Sequence, residues 1–216
     1  YRYSVAWIDC LARGRSLGRS VLLRGDHARV DELPTRRQVD PLLPPRARRA
    51  RVPFDLPGFV LNRWSVGLFN RLYYRWNATD RGRIEPYTSF FYPLDGIGDW
   101  NRLYGRRGFA QFQVAFPEET ARAGVIDLLE RISSAGRASF LAVLKRCGPP
   151  SAGHLSFCLP GLTLALDIPA RGGGRFDAFI RELISMAKRH RGRIYLAKDA
   201  HLDPDDLPVM YPRLEE

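Results

Sequence analysis

The stretch FAQFQVAFPEETARAGVIDLLERISSAG, residues 109–136, changes its period once, at Pro117. Before the proline the side chains alternate. Phe109, Gln111, Gln113 and Ala115 share one face, and Ala110, Phe112, Val114 and Phe116 share the other, which is the period of a strand. After it, Ala121, Val125, Leu128, Leu129 and Ile132 recur at helical spacing. Glu118 and Glu119 stand where a helix dipole favours acid, and Gly136 ends the pattern. The apolar strand face is thus a core face. The other face sets two neutral amides, Gln111 and Gln113, side by side on the pleat, each able to donate and accept. Such a face is either a solvated sheet surface or a wall for a polyhydroxylated ligand or a ring of mixed donors and acceptors.

Downstream the same logic repeats. Ser139–Cys147 reads as a strand broken by Gly148-Pro149-Pro150, and Leu162–Ile168, LTLALDI, as a central apolar strand. Gly172–Gly174 is a turn that is not expected to open a helix after a strand in dinucleotide-binding style. Phe176, Phe179, Ile180, Leu183, Ile184 and Ala187 stripe a second helix with a basic last turn, and Arg193–Lys198 is a final strand. The order β-α-β-β-α-β is that of the ferredoxin-like split motif. The expected class is α+β: an antiparallel sheet with helices on one face and Gln111, Gln113 and partners from other strands on the open face.

Upstream, Tyr3–Cys10 alternates as a strand, Gly14–Gly18 is a turn, and Val21–Leu23 is a second short strand. Pro34–Phe59 is dense in proline and arginine, including Arg46, Arg48, Arg49 and Arg51. Proline at that density blocks helix and central strand, so residues 34–59 are expected to be a mobile basic loop: a lid, a membrane-contacting flap or simply a solvated segment. Phe59–Trp76 places Val60, Trp64, Leu68 and Leu72, with Phe69 and Tyr73 alongside, at helical spacing, and such a stripe is expected to be core.

Composition narrows the function classes. An apolar content of 45% over 216 residues supports a packed core rather than disorder. No run of eighteen apolar residues exists to span a membrane. Cys10, Cys147 and Cys158 are scattered, and His27, His154, His190 and His201 show no ligand spacing, which argues against a disulfide framework or metal site and for a reducing compartment. A net charge of +11 fits nucleic acid, an anionic membrane surface or a phosphorylated substrate, or else an arginine-rich composition. Arg107-Gly108-Phe109-Ala110 matches the opening of an RNA-recognition motif. The match fails at Gln111, where that motif needs an aromatic, and on the position of the strand, so no nucleic-acid partner is expected.

Several longer segments recur in order: YSVAWIDCLARGRSLGRSVLLRGDH, FYPLDGIGDWNRLYG, GFAQFQVAFP, SFLAVLK, LSFCLPGLTLALDIP, GRIYLAKDA and MYPR. With these the chain resembles the FAD-linked oxidases of the vanillyl-alcohol-oxidase-like superfamily, specifically the part of those enzymes that binds substrate. The resemblance covers essentially the whole chain. It implies a substrate-binding (cap) domain over residues 1–216, a piece of a longer protein whose N-terminal domain holds FAD. The implied reaction is oxidation of a sugar C2 hydroxyl on a polyprenylphosphoryl-β-D-ribose by hydride transfer to flavin. An NAD(P)H-dependent reductase is then the implied partner, reducing the keto product to the arabinose-type epimer. A lipid-linked substrate implies a cytoplasmic protein or one peripheral to a membrane.

Carried onto this sequence, the resemblance makes Lys198 catalytic and, with Tyr195, cofactor-facing. It makes Gln111, Gln113, Lys145, Trp7 and Leu94 pocket residues. Mycobacterial members carry asparagine and cysteine where this chain has Thr163 and Ala165, tyrosine where it has Phe91, and serine where it has Val5. Those substitutions bear on the exact substrate and keep open a sugar-lactone or alditol oxidase of the same superfamily. A basic RNA- or membrane-binding module is the alternative of another class.

Overall fold

The computed structural model describes residues 1–43, 50–77, 82–137, 141–199 and 201–214. Tyr3–Ile8 (β1) and Ser20–Gly25 (β2) form an antiparallel hairpin, and Thr35–Gln38 (α1) is a single helical turn. Ala50–Arg51 (β3) pairs in parallel with Ile97–Gly98 (β4), with Arg63–Asn77 (α2) and Tyr87–Phe91 (α3) between them in sequence. Then follow Phe109–Pro117 (β5), Glu118–Ala135 (α4), Ala142–Cys147 (β6), Gly161–Pro169 (β7), Gly174–Arg189 (α5), Arg193–Ile194 (β8) and Leu207–Met210 (α6).

The large sheet runs β2-β1-β6-β7-β5-β8, and every pairing in it is antiparallel. Its last four strands keep the neighbour order of the ferredoxin-like split motif, and β1 adds the N-terminal hairpin at the β6 edge. The expected α+β class and the β-α-β-β-α-β core are therefore present. One sheet face is closed by α4 and α5 over a core that includes Phe112, Val114, Phe116, Leu128, Leu164, Leu166, Ile168 and Leu183. Phe116 is the tightest point. A Cβ added at Gly124 of α4 would lie 2.7 Å from its ring, and one at Gly192 would lie 2.8 Å from it. The two glycines let helix and chain close on the aromatic.

Three expectations change. The α2 stripe is not core: Trp64 is 75% exposed, Leu68 57% and Trp76 73%. The helix touches the sheet through a narrower strip, with Val66 and Asn70 buried and Tyr73 packed on Trp7 at 4.7 Å between ring centroids. Second, the proline-rich segment is not structureless where it is described, because it contains α1 and β3. Residues 44–49, with Arg46, Arg48 and Arg49, lie outside the described residues, as do Ser139 and Phe140 at the expected start of β6.

As the sequence order implies, Gly172–Gly174 links β7 to α5. The strand lies in an antiparallel sheet and the spacing is not that of a dinucleotide loop. Third, the last strand is shorter than its alternation suggests. β8 pairs only Ile194 with Val114 and Arg193 with Ala115, and residues Leu196–Lys198 form a 3-10 turn closed by the Lys198 amide donating to the Tyr195 carbonyl at 3.0 Å.

Replacing Gly124 with Ala tests the Phe116 contact. Helix propensity alone would stabilise α4 by up to about 1 kcal/mol. The clash should win and destabilise the chain by about 1–3 kcal/mol in urea unfolding. Adding Phe116→Leu to that variant should cost less than the sum of the two single changes.

Candidate functional site on the open sheet face

Paired residues of an antiparallel ladder point to the same side, so the register lays side chains in rows across the sheet. One row runs Trp7, Val143, Ala165, Gln113, because each is the ladder partner of the next. It ends at Tyr195, whose amide donates to the Gln113 carbonyl at 2.9 Å. The adjacent row carries Lys145, Thr163, Ala115 and Arg193. On the other side of the central row, Gln111 faces Asp167.

A cavity of about 590 Å³ opens on this face. Of the residues expected at the site, Gln113, Lys145, Thr163 and Tyr195 line it together. The loop between β6 and β7 walls it, with Phe157 packed on Tyr195 at 4.7 Å between ring centroids. Trp7 and Ala165 extend the same row beyond the cavity, with Trp7 under Tyr73 of α2. Lys198 sits exposed on the turn after Tyr195. Phe91 and Leu94 stand elsewhere. The Phe91 ring meets Tyr3 at 5.0 Å, and Leu94 lies in the turn Pro93–Gly96; neither lines the cavity.

The two glutamines differ in what they offer. Gln113 Nε2 donates to Thr163 Oγ1 at 3.4 Å, a long bond that leaves the amide oxygen and a second N–H for a ligand. Gln111 Nε2 donates to Asp167 Oδ1 at 2.9 Å. Asp167 is 3% exposed, and burial raises its carboxyl above the usual carboxylate range. The Gln111 bond, the positive charge of Lys198 and a hydrogen bond from Tyr104 pull it back. Burial first, then the Asp167 charge, pushes the Tyr104 hydroxyl well above its ordinary value. Asp167 was not singled out from sequence, yet a signal existed. It is the one charged residue in LTLALDI, and its two-residue spacing from Ala165 and Thr163 puts it on the open face.

Tyr104 also borders a second cleft of about 420 Å³, between the segment 55–58 and Arg106, Arg107 and Arg171. Burial, then the neighbouring Arg107, lowers Arg171 from its ordinary value. Part of the chain's positive charge is thus gathered one hydrogen bond away from Asp167. Among the described residues no cluster of three His, Cys, Asp or Glu is placed to hold a metal ion.

The chain is 35% identical, over all of its length, to the decaprenylphosphoryl-beta-D-ribose oxidase of Mycolicibacterium smegmatis. The motif resemblance holds from end to end. It is also 32% identical over its whole length to an uncharacterized protein in the mprA 5' region of Streptomyces coelicolor. It spans 46% of the first relative and 60% of the second, about half the length of the proteins it matches. No family model matches it.

Replacing Asp167 with Asn tests the buried carboxylate. A raised folded-state value means that the cost of ionising Asp167 is absent below the ordinary Asp range and appears as pH rises through the raised value. The variant should therefore gain stability over the parent at neutral pH and lose that advantage in acid, read from denaturation midpoints at several pH values. A difference independent of pH would show that the carboxyl is not strained by burial.

Proposed function

We propose that this chain is the substrate-binding part of an FAD-dependent oxidoreductase that oxidises a sugar hydroxyl, the C2 hydroxyl of a polyprenylphosphoryl-β-D-ribose. The observation that carries the reading is convergence. Gln113, Lys145, Thr163 and Tyr195, four positions at which the motifs align with oxidase pocket residues, line one cavity of a chain 35% identical to a ribose oxidase throughout. The similarity supports an oxidase role at the level of the family.

The chemistry of the donor set suits a flavin edge and a sugar. Tyr195 gives an aromatic face and Lys198 a cation, which fit the nitrogen- and carbonyl-bearing edge of a flavin ring. In this reading the body of FAD is held by another part of the protein. Bound there, the flavin supplies the hydride acceptor. The residues here do the positioning. Gln113 holds sugar hydroxyls through its free oxygen and N–H. Lys145 offsets the charge of the phosphate. Lys198 binds the reacting oxygen and, when neutral, takes its proton. Asp167 and Gln111 stand behind Lys198 and set the local charge. The keto product then requires a reductase using NAD(P)H to reach the arabinose-type epimer.

A lipid-linked substrate places this part of the protein at a membrane surface. The exposed stripe of α2 supports that placement: Trp64, Leu68, Leu72 and Trp76 face solvent, beside Arg63, Arg71 and Arg75, on a chain of net charge +11. Among the described residues no helix is long and apolar enough to cross a membrane.

The first test is an absorption spectrum of the full-length gene product with a polyprenylphosphoryl ribose analogue. A flavin band that bleaches anaerobically is expected. A flavin band that persists would move the substrate to a sugar lactone or alditol, and no flavin at all would overturn the enzyme reading in favour of a binding module. In the same protein Lys198→Ala should lower turnover by about 10²- to 10⁴-fold with the flavin band retained. For the surface contact, Trp64→Ser with Trp76→Ser should reduce cosedimentation with anionic vesicles; undiminished binding would assign the stripe another role.

A further inference from the structure

Two of the three cysteines share the wall of the cavity. Cys147 ends β6 and pairs in the ladder with Gly161, the first residue of β7, and Cys158 lies three positions before that glycine. The segment 148–157 loops out between them, and Pro149, Pro150, Ser156 and Phe157 from it face the same cavity. The two side chains are neighbours, close enough for Cys158 to act on the Cys147 proton. A bond between them would close a short surface loop rather than cross the core.

Exposure divides their roles. Cys158 is exposed and Cys147 half-buried, whereas Cys10 is sealed in the core at 1%. Burial first, then the neighbouring Cys158, pushes the Cys147 thiol up to about 11, with the Lys145 charge acting against the rise. The accessible thiol is thus the one an oxidant meets first, and the half-buried one stands within reach of whatever forms on it.

We propose that Cys147 and Cys158 form a peroxide-oxidisable dithiol whose disulfide pins the 148–157 loop over the Gln113–Tyr195 cavity. The Cys158 thiolate attacks one oxygen of hydrogen peroxide. An S–O bond forms, the O–O bond breaks, and the departing hydroxide takes up the thiol's proton as water. The Cys147 sulfur then attacks the Cys158 sulfenic acid. The S–S bond forms, the S–O bond breaks, and the second hydroxide leaves with the Cys147 proton as a second water. Two thiols lose two electrons, and one peroxide becomes two waters. The bond fixes the stem of the loop that packs Phe157 on Tyr195, so the oxidised chain holds one cavity wall that the reduced chain leaves free to move. Nothing in this step depends on the proposed sugar chemistry, and its readout is mass rather than turnover.

The test uses the full chain. No Lys or Arg lies between Cys147 and Arg171, so trypsin releases both cysteines on one peptide, 147–171. After hydrogen peroxide treatment, unfolding, alkylation and digestion, that peptide should be lighter by two hydrogen atoms and take alkyl groups only after reduction by dithiothreitol. Cys10 should be alkylated throughout. In Cys147→Ser the sulfenic acid on Cys158 should persist long enough for dimedone to trap it, and in Cys158→Ser the same peroxide dose should leave Cys147 alkylatable. Two alkylated cysteines after peroxide would overturn the proposal. So would Cys158-linked dimers, or sulfinic acid on either residue in place of the two-hydrogen loss.

Discussion

The antiparallel ladder between β5 and β7 is the constraint on which the rest depends. It matches Phe109 to Pro169 and runs without a break to Pro117 and Gly161. A one-residue slip in such a pair would turn every side chain to the opposite face. Here a slip of β5 would send Phe112, Val114 and Phe116 into solvent and bury Gln111 and Gln113 under α4 and α5. Burying those groups unpaired would cost far more than the apolar face recovers, so the register and the polar face are fixed by the same choice. The site is a consequence of the ladder: once the helices claim one side, the amides have only the other.

The hairpin β1–β2 and α2 attach to this core by a different kind of contact. Asp9, 3% exposed, accepts from Arg19 at 2.5 Å, from Asn70 of α2 at 2.7 Å and from the Leu11 amide at 3.0 Å. Breaking one partner of such a buried pair costs about 3–5 kcal/mol, because a charge is left uncompensated. The apolar residues of α2 contribute less than their number suggests, since most of them face solvent. A polar clamp fixes where the helix lies, and the aromatic stripe is left available to something else. That division explains why Trp7, the first residue of the central row, is covered by Tyr73 rather than open to the cavity.

Periodicity made the core legible. The change of period at Pro117 announced β5 and α4, and the stripe from Phe176 to Ala187 announced α5, because both patterns answer to a single buried neighbour. The same argument failed on α2. Spacing identifies a face but not what lies against it, and the contact there depends on Asp9 and Arg19, some sixty and fifty residues upstream of Asn70 in the sequence. The final strand failed for a related reason. Arg193–Lys198 alternates well enough, yet β8 is an edge with one neighbour, and after Ile194 the chain turns. Short motifs named the candidate residues, and the register decided which of them share a cavity. Gln113, Lys145, Thr163 and Tyr195 meet; Phe91 and Leu94 do not share their cavity.

Asp167 shows what a motif leaves out. A carboxylate in a central strand is costly, and burial raises it accordingly. Three groups hold it: the amide of Gln111, the hydroxyl of Tyr104 and the charge of Lys198. Each of these also borders somewhere a ligand could enter. Tyr104 faces the arginine cleft, Gln111 stands two residues along β5 from Gln113 of the cavity row, and Lys198 lies on the exposed turn beyond it. A lysine on a bare turn would be held only by solvent. The Lys198 charge acts on Asp167, so the exposed turn and the buried carboxylate are linked electrostatically.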